Sequence, residues 1–166
     1  MRAQARIWIV ELVWIVVILI FTFTIHFLIF GQFSALADTI DIQLHDTYFV
    51  IGGIEWVVAI FTVLGIVTYS VKGGFQRFGN WLGNVILSLL IIALLLLILQ
   101  WQHLLLMIGQ TPGGWTVYPP LNALPNAAPI VPNQDIRFWV TALVGLQALL
   151  WIALFLLGFQ TGRLKK

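Results

Sequence analysis

Two histidines of this sequence, His26 and His103, lie within long apolar stretches, each near the C-terminal end of its stretch. If those stretches are membrane helices, both imidazoles lie roughly 6–10 Å below the same membrane boundary. Ionisable side chains inside a membrane are costly and are interpreted first as functional. The two imidazoles could ligate one haem from facing helices, or either could meet Glu55. The alternative is that each hydrogen-bonds a neighbour at a helix interface or reaches towards the headgroups.

A second candidate site lies at the adjacent residues His45 and Asp46, with Asp41 and Glu55 nearby in the sequence. Magnesium prefers carboxylate oxygens and water, and imidazole is a less usual ligand for it. His45 and Asp46 are therefore candidate ligands for a magnesium-like divalent ion. The alternative is that Asp46 accepts backbone N–H bonds at a turn or at the start of the next helix, with His45 as a hydrogen-bonding partner in the loop.

Glu11 is an acidic residue in the first turns of an apolar stretch. A role in a proton path is conceivable, and the alternative is an ion pair with Arg6 or with a partner subunit. Polar amides within membrane helices usually join those helices by hydrogen bonds, and three glutamines are candidates: Gln100, Gln102 and Gln147.

Several kinds of chemistry are excluded by composition and motif. The sequence has no cysteine, which excludes disulfides, Cys-ligated zinc, iron–sulfur clusters and a thiolate nucleophile. It also has no P-loop, no GxSxG and no HExxH motif. The basic turn from Lys72 to Arg77 is too short to indicate nucleic-acid binding. We therefore expect no catalytic residues, no enzyme activity of the chain by itself and no required cofactor.

The elements that position these residues are membrane helices. Of the 166 residues, 61% are hydrophobic and only 8% are charged, whereas soluble domains have about 25% charged residues. A spanning helix needs about 20 mostly apolar residues, and four stretches qualify. The first is too long for a signal-peptide core, so we expect it to be retained. The prediction is an all-α integral membrane protein, a single membrane domain over 1–166 with helices at about 7–30, 53–71, 81–109 and 138–160.

The placement of charge predicts the orientation of these helices. Cytoplasmic loops and termini are enriched in Lys and Arg. Only Arg137 of the 8 basic residues falls on the side opposite the others. We therefore expect both termini in the cytoplasm of a multi-pass protein, in a bacterial inner membrane. Two extended outer loops follow, at about 31–52 and 110–137. The first alternates partly and is β-rich, and the second holds all six prolines, which makes it stiff and non-helical.

Each outer loop contains a short segment with a recognisable sequence. Residues 44–50 read LHDTYFV and residues 113–121 read GGWTVYPPL. Both segments resemble the large catalytic subunit, subunit I, of haem-copper cytochrome oxidases, in which LHDTY[FY]V and GWTVYPPL are recognisable stretches. In that family both segments lie on the outer side, near the haem propionates and a non-redox magnesium site. The resemblance therefore implies an oxidase-like outer surface, and it places His45 and Asp46 near the family's magnesium position.

The same resemblance implies that the oxidase chemistry is lost. In the family, LHDTY[FY]V leads into a helix with a His-x-His pair that ligates the two haems, and those positions are Gly53 and Glu55 here. Glycine has no side chain to ligate iron, and glutamate is not the ligand that the family uses. The 3 histidines of the chain also cannot provide the family's full ligand set for two haems and a copper. The resemblance is thus to a short, rearranged and degenerate relative of subunit I.

These patterns favour a non-catalytic accessory or structural subunit of a respiratory or electron-transfer membrane complex. One alternative is a small haem- or divalent-metal-binding membrane protein, and a second is a transporter or channel subunit. Broken helices and midplane charges, which are typical of transporters, are largely missing. The expected partners are membrane lipid and other subunits, with no nucleic acid. Four aromatic residues of the outer loops are the expected packing contacts: Tyr48, Phe49, Trp115 and Tyr118.

Overall fold

The structure, a computed structural model, describes residues 2–31, 39–44, 47–110 and 134–163. Six elements occur in these ranges. In chain order they are α1 (Arg2–Phe30), β1 (Thr39–Leu44), β2 (Thr47–Gly52), α2 (Gly53–Phe75), α3 (Trp81–Gln110) and α4 (Gln134–Arg163).

All four helices are long and apolar enough to cross a membrane. Their spans are Ala5–Phe30, Gly53–Phe75, Trp81–Leu106 and Ile136–Arg163. Large apolar side chains, among them those of Leu28 and Phe75, are exposed along the helices. Apolar surface of this extent suits contact with lipid, since water would make it prone to aggregate. The prediction of four helices of membrane-spanning length and composition is confirmed.

The segment before α2 is an antiparallel hairpin, which adds two strands to the helical architecture. β1 pairs with β2 in a register from Thr39 opposite Gly52 to Leu44 opposite Thr47. β-branched and aromatic residues favour a pleated backbone in this segment. β2 ends at Gly52 and α2 begins at the next residue. The LHDTYFV segment therefore contributes most of one strand that leads directly into a helix.

The chain divides into two compact units, Met1–Leu94 with Ile152–Lys166, and Leu95–Trp151. The core of the first unit contains buried apolar side chains from α3 and α4. In the same unit, α2 and α3 approach each other closely. A Cβ placed on Gly65 would lie 2.8 Å from Leu90 Cδ1, so the absence of a side chain at Gly65 permits this approach.

The second unit is joined by a reciprocal pair of amide hydrogen bonds. Gln102 Nε2 donates to Gln147 Oε1 at 3.3 Å, and Gln147 Nε2 donates to Gln102 Oε1 at 3.2 Å. The bonds link α3 to α4 within the spans that are long and apolar enough to cross a membrane. The prediction that glutamines in the apolar helices join those helices is confirmed for these two.

Replacing Gln102 by leucine should destabilise the chain by about 0.6–1.7 kcal/mol, the range measured for polar contacts between membrane helices. The cost arises because the amide of Gln147 loses its partner in an apolar setting. Unfolding of the chain in detergent measures the change. The double variant Gln102→Leu/Gln147→Leu should be no less stable than either single variant, and additive losses would contradict the pairing.

Candidate functional site

The two histidines of the predicted haem site differ in their surroundings. His26 is 3% exposed, and its ring centroid lies 4.9 Å from that of Phe30. Phe30 in turn lies 6.1 Å from the ring of Trp56 on α2. Among the described residues, His26 Nδ1 makes no hydrogen bond. His103 lies in the second unit and its side chain is exposed. Ligation of haem by this pair stays a prediction.

The other predicted site residues lie mostly outside the described part of the structure. His45, Asp46, Trp115 and Tyr118 fall in ranges that the structure does not describe, and Tyr48 and Phe49 are described only as backbone in β2, together with three further residues of that strand. Within the described residues, no group of three or more His, Asp or Glu side chains could hold a metal ion. The magnesium-like site and the aromatic packing contacts therefore stay predictions.

A polar cluster that could not be predicted from the sequence lies around Glu11, in the first unit. Glu11 is 2% exposed, and Lys72 Nζ donates to both of its carboxylate oxygens, to Oε1 at 2.7 Å and to Oε2 at 2.6 Å. Asn80 Nδ2 donates to Oε1 at 2.6 Å. The carboxylate of α1 is thus held by the last turn of α2 and by the residue just before α3. We call Glu11, Tyr69, Lys72, Asn80 and Asn84 the Glu11 cluster.

The partner of Glu11 is Lys72, and the predicted pairing with Arg6 is wrong. The apolar run of the second helix ends at Val71, which predicts that Lys72 lies in the following turn. The helix instead continues to Phe75, and this places Lys72 on the same face as Tyr69, one turn earlier. The side chain of Arg6 is exposed.

Aromatic rings complete the surroundings of the Lys72 ammonium. Its Nζ lies 5.7 Å from the ring centroid of Trp14 and 5.3 Å from that of Tyr69. A cation close to the faces of such rings is stabilised by their quadrupoles, more so where water is excluded. The Lys72 side chain is only 11% exposed. Its ammonium has therefore lost most of its contact with water, and the two rings and Glu11 stabilise the charge instead.

A strained turn presents Asn80 to the carboxylate. After α2, Arg77 and Phe78 adopt positive φ angles of 48° and 53°. This left-handed conformation is unfavourable for residues with a Cβ. It is held by a bond from Phe78 N to Gly73 O at 2.7 Å and by Asn84 Nδ2, which donates to Phe78 O at 2.8 Å. The ring of Phe78 packs on Gly73, where a Cβ would collide with it.

The strain at Arg77 gives a prediction with a defined sign. Arg77→Gly should stabilise the chain by about 0.5–1 kcal/mol, because glycine adopts positive φ without the steric penalty that an L side chain meets there. Thermal unfolding in detergent measures this. Arg77→Ala is the matched control, since it removes the same charge but keeps the strain, and it should give no gain. Equal effects of the two variants would contradict the assignment of strain.

The cluster is arranged to hold helices together. Both oxygens of Glu11 accept hydrogen bonds from within the chain, from Lys72 and from Asn80. Breaking one partner of such a buried pair is costly because the other charge is left uncompensated. The geometry therefore favours a structural clamp between α1, α2 and the turn before α3.

A second feature missed from the sequence is a glycine pair at the end of α4. The apolar pattern predicts that the fourth helix ends at about Gln160, which leaves Gly162 outside it. The helix continues to Arg163, so it includes both Gly158 and Gly162. The guanidinium of Arg163 lies 4.3 Å from the ring centroid of Phe159. A Cβ at either glycine would meet nothing within 4 Å. These glycines are therefore not required by packing within the described residues.

The glycine pair lines an open, mainly apolar groove with residues of α3. The other lining residues are Val85, Ser88, Leu89 and Thr161. The two hydroxyls there donate to carbonyls of their own helices, Ser88 Oγ to Asn84 O at 2.9 Å and Thr161 Oγ1 to Leu157 O at 2.7 Å. The groove is thus a concave surface with its hydroxyl donors already used.

Comparisons with protein-family models, with curated proteins and with solved structures found no significant match.

Proposed function

We propose that this chain is a non-catalytic accessory subunit of a membrane electron-transfer complex, and that it holds a neighbouring subunit in place. The observation that carries the accessory role is the surface of α4. Only 6% of the most apolar window of this helix is buried within the chain. Gly158 and Gly162 lie on this helix with open space above them. Glycines spaced in this way let a second membrane helix approach closely.

The electron-transfer character of the complex rests on the two oxidase-like segments, 44–50 and 113–121. A chain with these segments but without the family's haem ligands would contribute an outer surface to a partner that carries the redox groups. The Glu11 cluster supports the same role, since its charges are used to fix α1 against α2.

The spectrum of the chain expressed alone tests the non-catalytic part of the proposal. We expect the purified chain to be colourless, with no metal bound at one equivalent per chain. A Soret band at one haem per chain, lost in His26→Ala, would favour the second candidate function, a small haem-binding membrane protein. That candidate is supported by His26, a buried imidazole whose Nδ1 has no hydrogen-bond partner among the described residues.

The proposal includes an orientation with both termini in the cytoplasm. Because the chain has no native cysteine, single introduced cysteines report on one position each. Cysteines placed at Gly31 and at Asn126 should react with a membrane-impermeant maleimide added to intact cells. A cysteine at Gly79 should react only after the membrane is permeabilised. The reverse pattern would contradict the orientation.

A further inference from the structure

A small cavity lies beside the Glu11 cluster, next to the turn between α2 and α3. Its polar lining residues include Tyr69, Lys72, Asn80 and Asn84. The cavity has a volume of about 10 Å³, which is close to the lower limit of the room that one water molecule needs.

The hydroxyl of Tyr69 is the unexplained group in this lining. Tyr69 is 2% exposed, and within the described part of the chain its Oη makes no hydrogen bond. The Glu11 carboxylate lies close to this hydroxyl and is the competing hydrogen-bond acceptor. A buried hydroxyl without a partner is costly, and such groups in folded proteins are usually satisfied by protein or by ordered water.

Further polar atoms are available to the same cavity. The hydrogen bonds that hold Asn80 and Asn84 use their Nδ2 atoms, which donate to Glu11 and to Phe78 O. The amide oxygen of each asparagine is therefore an acceptor that these bonds do not use. The Lys72 ammonium has three donors, and the two carboxylate oxygens accept two of them.

We infer that this cavity binds one water molecule, which hydrogen-bonds to Tyr69 Oη and to an amide oxygen of Asn80 or Asn84. A buried water typically makes two to four such bonds. A cation is disfavoured here because the Lys72 ammonium lines the cavity, and an anion is disfavoured because Glu11 already neutralises that ammonium. The bound water completes the Glu11 cluster by joining α2 either to the turn, through Asn80, or to α3, through Asn84.

The test is an experimental structure of the full chain at a resolution that shows ordered water, for the wild type and for Tyr69→Phe. The wild type should show one solvent peak about 2.7–2.8 Å from Tyr69 Oη. Tyr69→Phe keeps the ring and removes only the hydroxyl, so the peak should weaken or vanish. The Tm of this variant in detergent should fall by about 2–4 °C.

Thr62→Val is the matched control. Thr62 is 1% exposed on the same helix, and its hydroxyl donates to Val58 O at 2.7 Å without any water. Its removal should change the Tm little. An empty cavity in the wild type would overturn the inference, whether Tyr69 Oη is then unpaired or bonded directly to Glu11. A rise in Tm for Tyr69→Phe would also overturn it, because removing a hydroxyl that has no partner relieves its cost.

Discussion

Replacing Glu11 by alanine should lower the free energy of unfolding by about 3–5 kcal/mol, the cost of breaking a buried ion pair. The cause is Lys72, whose ammonium would remain among apolar helices without its carboxylate. Asn80 would lose its acceptor at the same time. In thermal unfolding of the detergent-solubilised chain, a loss of this size corresponds to a fall in Tm of about 10 °C.

The double variant Glu11→Ala/Lys72→Met tests whether the loss of stability comes from the broken ion pair or from any change at this site. With both charges removed, the desolvation cost that the pair carries is also removed, so the double variant should be more stable than Glu11→Ala alone. Glu55→Ala is the matched control because that acidic side chain is exposed at the start of α2. It should change stability by less than about 1 kcal/mol. A double variant that loses the sum of the two single effects would contradict the pairing.

Replacing Gly158 by leucine should abolish association with the partner subunit while leaving the chain folded. The side chain would project from α4 into the groove that the partner helix is proposed to approach. Because a Cβ at this position meets nothing within 4 Å, the substitution should be tolerated by the isolated chain. Leucine is also a better helix former than glycine, so the Tm of the isolated chain should hold or rise.

The matched control for this variant is Gly145→Leu. Gly145 also lies in α4 with no atom within 4 Å of an added Cβ. It lies outside the glycine pair, and its replacement should leave association intact. Native gel mobility of the complex with each variant is the readout. Retention of the partner by Gly158→Leu, or its loss in both variants to the same degree, would exclude the groove as the interface.

The helices could be predicted from the sequence because hydrophobic length alone determines them. A run of about 20 apolar residues has few alternatives to a membrane-spanning helix. The link between Gln102 and Gln147 was predictable in kind, since an amide among apolar residues must find a partner on another helix. Which amide it meets depends on helix packing, to which the sequence gives no simple guide.

The Glu11 cluster could not be assembled from sequence in the same way. The apolar run of the second helix ends before Lys72, whereas the helix continues through this residue. Glu11 and two aromatic rings stabilise its ammonium there. One signal was present, since Glu11 and Lys72 were both expected near the cytoplasmic face. The positive φ angles of Arg77 and Phe78 had no signal at all, because no glycine marks that turn at those two positions.

The end of α4 was missed for a related reason. Gln160 and Thr161 lower the hydropathy, so the apolar run stops there. The helix is extended by Arg163, a cation at the C-terminal end of the helix dipole that also packs on Phe159. The glycine pair only becomes a helical motif once the helix includes Gly162.

The most direct test of the proposed accessory role is purification of the tagged chain from its native membranes in a mild detergent, with a visible spectrum of the product. We expect partner polypeptides at a fixed ratio to the chain and a cytochrome spectrum carried by the partners, with both lost from the Gly158→Leu preparation. A chain that purifies alone from native membranes, or one that carries a haem by itself, would contradict the proposal.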